Sequence, residues 1–276
     1  MSVQDILVYV DSSRALPGTV ALAVDLADRH GARLSGAHVL PSLTVPAYAL
    51  YPVGPDLIDA HRAVSEDRAR HSKAVFDRAT TGMGFTSEWR QREGDPAREI
   101  CNQSRCADLV VIGQPDSRDP DSLSQQVVED VVLGSSAPVL VVPYIGNPEN
   151  STNHTMIAWD GSRESARAVH DAIPFLEKGE RVTVVTVSKH GGTEGKTAVG
   201  TEISAHLARY DLAVQCREVP AADLRTGDVL LSLVADESVD LLVMGAYGHS
   251  RLREVVMGGA TDHILRHMTV PVFMAH

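Results

Sequence analysis

Short apolar runs alternate with longer amphipathic stretches along the chain. The run from Val182 to Val187 contains only valine and threonine, which favour strands because both are β-branched. Leu241 to Met244 is continuously apolar, as expected of a strand buried on both faces. Strands that alternate with helices imply right-handed crossovers. The pattern therefore predicts an α/β fold with an open, doubly wound parallel sheet.

The pattern is clearest in the C-terminal half. It predicts strands at about 155–159, 182–187, 211–218, 240–244 and 270–275, and helices at about 162–177, 199–209, 224–237 and 259–267.

The same order of blocks occurs twice in the chain. Ala107–Gly113 matches Val239–Gly245, and Pro138–Val142 matches Pro271–Ala275. Two further blocks match as well: Ile6–Ser13 with Thr155–Ser162, and Glu93–Asp95 with Thr226–Asp228. Four matching blocks in one order predict a tandem repeat. We place one domain at residues 1–146 and the other at 152–276, with a polar linker between them.

The first half is longer than the second. Asp11 and Asp160 are separated by 16 residues more than Pro138 and Pro271 are. We place the surplus at residues 41–59, where prolines are too dense for a helix interior or a central strand. A surface excursion is the simpler interpretation; a segment that clamps a ligand or docks a partner is the alternative.

A glycine-rich loop follows the predicted strand that ends at Met244. Its spacing is Gly245, two residues, Gly248, nine residues, then Gly258 and Gly259 before a predicted helix. Glycine allows the main chain to approach a ligand closely. The first amides of a helix lack partners, and the helix dipole favours an anion there. The loop is therefore suited to phosphates, although glycines that only make tight turns would look the same.

Three side chains of this loop are candidates for further contacts. Arg251 and Arg253 would add positive charge to a phosphate site held mainly by backbone, and His249 would either contact a phosphate or cover the site.

These motifs resemble the universal stress protein family in its tandem form, over nearly the whole chain. The resemblance implies two Rossmann-like, adenine nucleotide alpha hydrolase-like domains with five-stranded sheets. It also implies binding of ATP or another adenine nucleotide, with or without magnesium, in the C-terminal domain. By position, the resemblance assigns Asp160 to the nucleoside, Val187 to the base, and Met244, Gly245, Gly248, Gly258, Gly259 and Ala260 to the ribose and phosphates.

One position departs from that family pattern. Its ATP binders usually have serine or threonine where this chain has Gly259, so a hydroxyl worth about 1 kcal/mol to a phosphate is lost. Thr261, two positions on, is the nearest replacement.

The first half has lost the loop. Asp116 stands where the second half has Gly248, and Gln125 and Gln126 stand where it has Gly258 and Gly259. Asp119 and Asp121 add negative charge that would repel a polyphosphate. We expect this half to support the fold or to offer a surface to a partner.

Charge and composition exclude some classes of function. A net charge of −11 argues against a general nucleic-acid binder, which needs a basic surface. The N-terminal residues show neither a signal peptide nor a membrane span, so we expect a cytoplasmic protein with no membrane partner. The three cysteines imply no disulfide framework.

Other candidate residues have simpler explanations. His263 and His267 have metal-ligand spacing on a helix but no obvious third ligand. Ser12, Ser13 and Ser162 are expected to cap helices. We find no Walker motif, general base or magnesium carboxylate, so no catalytic residue is assigned and at most slow ATP hydrolysis is expected.

These observations together predict a stress-response regulatory protein that binds an adenine nucleotide and signals to an unidentified protein partner. A scaffold without a ligand and a slow ATPase are the alternatives. The closing strands, 138–142 and 270–275, are expected to pair the two halves of the chain as a pseudo-dimer. We further expect two whole chains to form a dimer.

Overall fold

Each half of the chain alternates strands with helices, as its hydrophobic pattern predicts. The computed structural model describes residues 2–41, 55–146, 153–188, 196–221, 223–246 and 259–276. In the first half the elements are β1 (Asp5–Tyr9), α1 (Leu16–His30), β2 (Arg33–Pro41), α2 (Pro55–Thr80), β3 (Ser87–Gly94), α3 (Pro96–Ser104), β4 (Leu109–Gly113), α4 (Gln125–Gly134) and β5 (Val139–Val142). In the second half they are β6 (His154–Ala158), α5 (Arg163–Ala172), β7 (Arg181–Ser188), α6 (Lys196–Leu207), β8 (Ala213–Pro220), α7 (Thr226–Asp236), β9 (Leu241–Gly245), α8 (Ala260–His267) and β10 (Val272–Ala275).

The strands form one sheet in the order β3-β2-β1-β4-β5-β10-β9-β6-β7-β8. Pairing is parallel within each half and antiparallel only between β5 and β10. The predicted α/β class, with two doubly wound five-stranded parallel sheets, is confirmed. The antiparallel pairing of β5 with β10 merges the two sheets into one ten-stranded sheet.

The two closing strands join the halves. Leu140 of β5 lies opposite Phe273 of β10, with Val141 opposite Val272 and Val139 opposite Met274. Every residue of both strands is buried, because helices cover both faces of the sheet at the junction. The expected pairing of the closing strands is therefore observed.

Apolar side chains form a core layer on each face of the sheet, and both layers run through the two halves. One layer lies under α1, α2, α5 and α6 and includes Leu140 and Phe273. The other lies under α3, α4, α7 and α8 and includes Val141 and Val272. The antiparallel junction thus contributes side chains to both layers.

The extra length of the first half lies largely in a helix. Helix α2 has 26 residues, whereas α6, its counterpart, has 12. The predicted excursion at 41–59 was wrong at both ends, since Pro41 belongs to β2 and α2 begins at Pro55. A proline is tolerated there because the first amides of a helix need no partner. Residues 42–54 lie outside the described residues.

Two of the three predicted serine caps were wrong. Helix α1 begins after Ala15 without a side-chain cap, and the hydroxyl of Ser13 donates instead to Asp11. Ser162 does cap α5, because its Oγ accepts a hydrogen bond from the amide of Ser165 at 3.1 Å.

Replacing Phe273 by alanine tests the importance of the junction. Phe273 is 1% exposed, lies opposite Leu140, and has its ring centroid 5.6 Å from that of Phe175. We expect Phe273→Ala to lower the free energy of unfolding by about 3–5 kcal/mol, measured by urea denaturation. Leu224→Ala, at a side chain that is 63% exposed, is the control and should change it little. A loss below about 1 kcal/mol in Phe273→Ala would contradict the prediction.

Candidate functional site

The strand order reverses between β6 and β9 in the second half. These strands are parallel neighbours, with Ala158 beside Met244. The chain continues from β6 to β7 on one side and from β9 to β10 on the other. In an open α/β sheet such a reversal leaves a crevice at the carboxyl ends of the strands, which is where ligands bind. Asp160, just beyond β6, and Gly245, the last residue of β9, lie at this edge of the sheet.

Asp160 lies in a turn that leads into α5. It is exposed, and its Oδ1 accepts a hydrogen bond from the amide of Ser162 at 2.9 Å. Ser162 in turn caps α5. The turn and the cap together place the carboxylate at the start of a helix and at the mouth of the crevice.

Val187 and Met244 lie on the same face of the sheet. Met244 is buried in β9, and Val187 in β7 is half-buried; both pack in the core layer beneath α7 and α8. They lie near the carboxyl ends of β7 and β9, the two strands that flank β6.

Gly245 has a structural role that the sequence did not reveal. A Cβ built at this position would lie 2.4 Å from the amide nitrogen of Ser165 and 2.6 Å from the carbonyl carbon of Glu164. These are backbone atoms of α5 and cannot move aside as a side chain could. Glycine is therefore required here because α5 packs directly on the end of β9, irrespective of any ligand.

Gly259 is a different case. It is the N-cap of α8, it is exposed and extended, and nothing lies within 4 Å of a Cβ built on it. No side chain of the described residues caps α8. Gly259 has no side chain to offer the first amides of this helix, and a helix end of this kind can receive an anion.

The two residues after Gly259 differ in exposure. Ala260 is half-buried, whereas Thr261 is buried and has a partner within the protein. The other predicted site residues lie outside the described residues: Gly248, His249, Arg251, Arg253 and Gly258.

The matching end of α4 in the first half is closed. Ser124 caps α4, with its Oγ accepting from the amide of Val127 at 3.4 Å. Ser124 precedes Pro138 by 14 residues and Gly259 precedes Pro271 by 12, so α4 begins earlier relative to its closing strand. A serine just before an apolar helix was a signal for this cap in the sequence.

The acidic residues of the first half are held by other protein groups. Asp116 pairs with Arg118 at 3.0 Å, Asp121 pairs with Arg68, and Asp119 accepts the amide of Arg14 at 2.7 Å. The predicted repulsion of phosphate is therefore weakened by the two arginines. The cap on α4 and the hydrogen-bonded loop before it are the stronger reasons for expecting no phosphate there.

Asp11, the counterpart of Asp160, is buried. Its Oδ1 accepts from the amide and the hydroxyl of Ser13, at 3.0 and 2.8 Å. Burial, and to a lesser extent nearby Asp119, raises the pKa of Asp11 to about 6. A small cavity of about 240 Å³ lies beside it, lined by Asp11, His38, Arg68 and Leu123 among others.

The histidine pair has a structural partner. Nε2 of His263 lies 2.7 Å from Oδ1 of Asp228, and its ring stacks on that of His267 with centroids 4.3 Å apart. Within the described residues, no cluster of three potential metal ligands occurs. The three cysteines are free thiols; Cys101 is half-buried, and Cys106 and Cys216 are exposed.

The packing of Gly245 can be tested against its counterpart. We expect Gly245→Ala to destabilise the protein by about 1–3 kcal/mol in urea denaturation, because its Cβ would overlap the backbone of α5. Gly113→Ala is the matched control at the end of β4, where the nearest atom is Oγ1 of Thr19 at 3.4 Å. Equal effects of the two substitutions would be inconsistent with this explanation.

The buried carboxyl of Asp11 makes stability depend on pH. Its pKa of about 6 in the folded protein exceeds the ordinary value of 3.8. The folded state therefore holds this proton more tightly than the unfolded state, and the stability that results is lost as the pH rises from about 4 to about 6. Asp11→Asn removes this titration. We expect its stability relative to the wild type to rise by up to roughly 3 kcal/mol between about pH 4 and pH 7.5. Asp160→Asn, at the exposed equivalent position, is the control. A difference for Asp11→Asn that stays constant with pH would refute the prediction.

No described helix is both long enough and apolar enough to cross a membrane.

Comparison with known proteins places the whole chain in one family. The model of the universal stress protein family matches residues 2–143 and again residues 152–276. A universal stress protein of Mycolicibacterium smegmatis is 23% identical over 300 aligned positions, which cover 98% of this chain and 96% of that protein. One of Synechocystis is 26% identical over 149 residues, which cover 52% of this chain and only 49% of the relative.

Solved structures agree with the sequence comparisons on the fold. The crystal structure of a universal stress protein from Archaeoglobus fulgidus superposes with a TM-score of 0.74 at 18% identity, covering 98% of this chain and 95% of that one. The repeated sequence blocks, the two parallel five-stranded halves and the two family matches agree, and the chain belongs to the universal stress protein family.

Proposed function

We propose that this chain is a stress-response regulatory protein whose C-terminal half binds ATP or another adenine nucleotide at the crevice between β6 and β9. The observation that carries the proposal is the N-terminus of α8, which is exposed at Gly259 and capped by no described side chain. Backbone amides at such an end bind phosphate, and the helix dipole adds to the attraction. The contrast with α4, which Ser124 caps, makes the site asymmetric.

The remaining parts of the proposed site come from the resemblance and fit the geometry. Asp160 would accept hydrogen bonds from the nucleoside, and Val187 and Met244 lie on the two strands either side of β6, where an apolar base would pack. A protein with a net charge of −11 repels a polyphosphate at long range. Binding would therefore depend on local backbone donors, with Arg251 or Arg253 as candidates for added charge.

An interaction scaffold that binds no nucleotide is the second candidate. It is favoured by Gly259, which supplies no hydroxyl, and by the burial of Thr261, the nearest one. A slow ATPase is a variant of the first candidate. It would release phosphate, and that release would depend on the same helix end.

Calorimetric titration with ATP, AMP and GTP tests the proposal, after mass spectrometry has shown whether a nucleotide co-purifies. We expect one site per chain. Gly259→Asp should weaken ATP binding at least about tenfold, because it places a carboxylate where the phosphates would lie. Aspartate is a favoured N-cap, so this variant should not lose stability. Its loss of binding would then not reflect unfolding.

Ser124→Asp is the matched control, because it makes the same change at the N-cap of α4. It should leave ATP binding unchanged. If no nucleotide binds and none is retained from the cell, the scaffold is the correct interpretation. Equal losses of ATP affinity in the two variants would contradict a phosphate site at the N-terminus of α8 alone.

A further inference from the structure

Helix α4 of the first half lies against α8 of the second, and polar side chains cross the boundary. Nε2 of Gln125 donates to Oε1 of Glu129 at 2.8 Å and to Oδ1 of Asp262 at 3.4 Å. Glu129 is 4% exposed, and its carboxyl also hydrogen-bonds to that of Asp262. Burial raises the pKa of Glu129, and Asp262 raises it further. The raised pKa makes the protonated acid of Glu129 more readily formed than in water, and in that form it can donate to Asp262.

Asp262 is the third residue of α8. An acidic side chain at this position commonly reaches back to the N-cap amide and complements the helix dipole. Here its Oδ1 instead accepts from Nε of Arg266 at 2.8 Å and from Gln125. The carboxylate is thus engaged by Arg266 of its own helix and by Gln125 of α4, and Gly259, the N-cap of α8, provides no side-chain cap.

A second residue of the first half holds the other end of α8. Gln114 is 2% exposed, and its Nε2 donates to the carbonyl of Leu265 in the last turn of the helix at 2.9 Å. Its Oε1 accepts from the amide of Tyr144 at 3.2 Å, which orients the side chain. The second half has Ala246 at the corresponding position, which has no polar side chain and cannot make the reciprocal contact.

We propose that the first half of the chain positions the phosphate end of the second half's nucleotide site. Gln125 and Glu129 hold Asp262 away from the amides of α8, and Gln114 fixes the helix from its C-terminal end. The proposal rests on the proposed function. It gives a role to Gln114 and Gln125 in the first half, which replace small residues of the glycine loop.

Substitutions at Glu129 provide the main test, with binding of ATP and of adenosine measured by calorimetry. Adenosine lacks phosphates and does not need α8. In Glu129→Ala, Asp262 loses its buried partner, and only Arg266 and Gln125 still hold it from turning back toward the helix end, so we expect ATP affinity to fall about tenfold while adenosine affinity is kept. Glu129→Gln retains an uncharged donor to Asp262 and should bind ATP nearly as the wild type does.

A pair of neighbouring glutamines provides a second test that does not remove a buried acid. Gln125→Ala should lower the ratio of ATP to adenosine affinity about threefold or more. Gln126→Ala, next to it on α4, is the control, because Gln126 is exposed and donates to Asp130 at 3.0 Å within the same helix. It should not change the ratio.

The outcomes separate the two proposals. If the wild type binds ATP but Glu129→Ala and Gln125→Ala leave the ratio unchanged, the positioning role is refuted and the nucleotide site stands. If both affinities fall together, the residues are merely structural, which also refutes it. A wild type that binds neither compound overturns the proposed function and this inference with it.

Discussion

The antiparallel pairing of β5 with β10 is the contact on which the rest of the arrangement depends. Each half alone would present a closing strand with unpaired backbone groups at a sheet edge. Pairing the two edges satisfies those groups and extends both apolar layers across the boundary, around Leu140 and Phe273. Because each closing strand follows the helix before it, the same pairing brings α4 and α8 together. Contacts between the halves, such as that of Gln125 with Asp262, follow from this geometry.

The two halves share one fold but differ in how equivalent helix ends are capped. Ser124 closes the N-terminus of α4 with its own hydroxyl, whereas Gly259 adds no side chain at α8. A helix end that is already capped has fewer amides for an anion, so the first half is not expected to hold phosphate. The first half gains contacts in exchange: Gln125, at the position of Gly258, and Gln114, at the position of Ala246, both bond to α8.

The glycines of the predicted loop do not share one explanation. Gly245 is needed because the backbone of α5 lies against it, and this would hold in a protein that bound nothing. Gly259 has no such neighbour and adopts an extended conformation that any residue can adopt, so packing among the described residues does not explain it. Packing therefore requires one glycine of the motif and leaves the other available for the proposed ligand, and only the surroundings of each separate the two cases.

The sequence by itself determined the fold class, the repeat and most element positions, because hydrophobic periodicity and turn residues act locally. Some of its errors were local, such as the start of α2 and the caps of α1, and the others arose where distant parts of the chain meet. The surplus of the first half was assigned to an excursion, but helix α2 takes up much of it, since prolines at 41–55 obscured where the helix begins. The burial of Asp11, the packing of Gly245 and the contacts of Gln114 were decided by tertiary structure alone. Each depends on which atoms lie across a strand or helix boundary, and no local pattern records that distance.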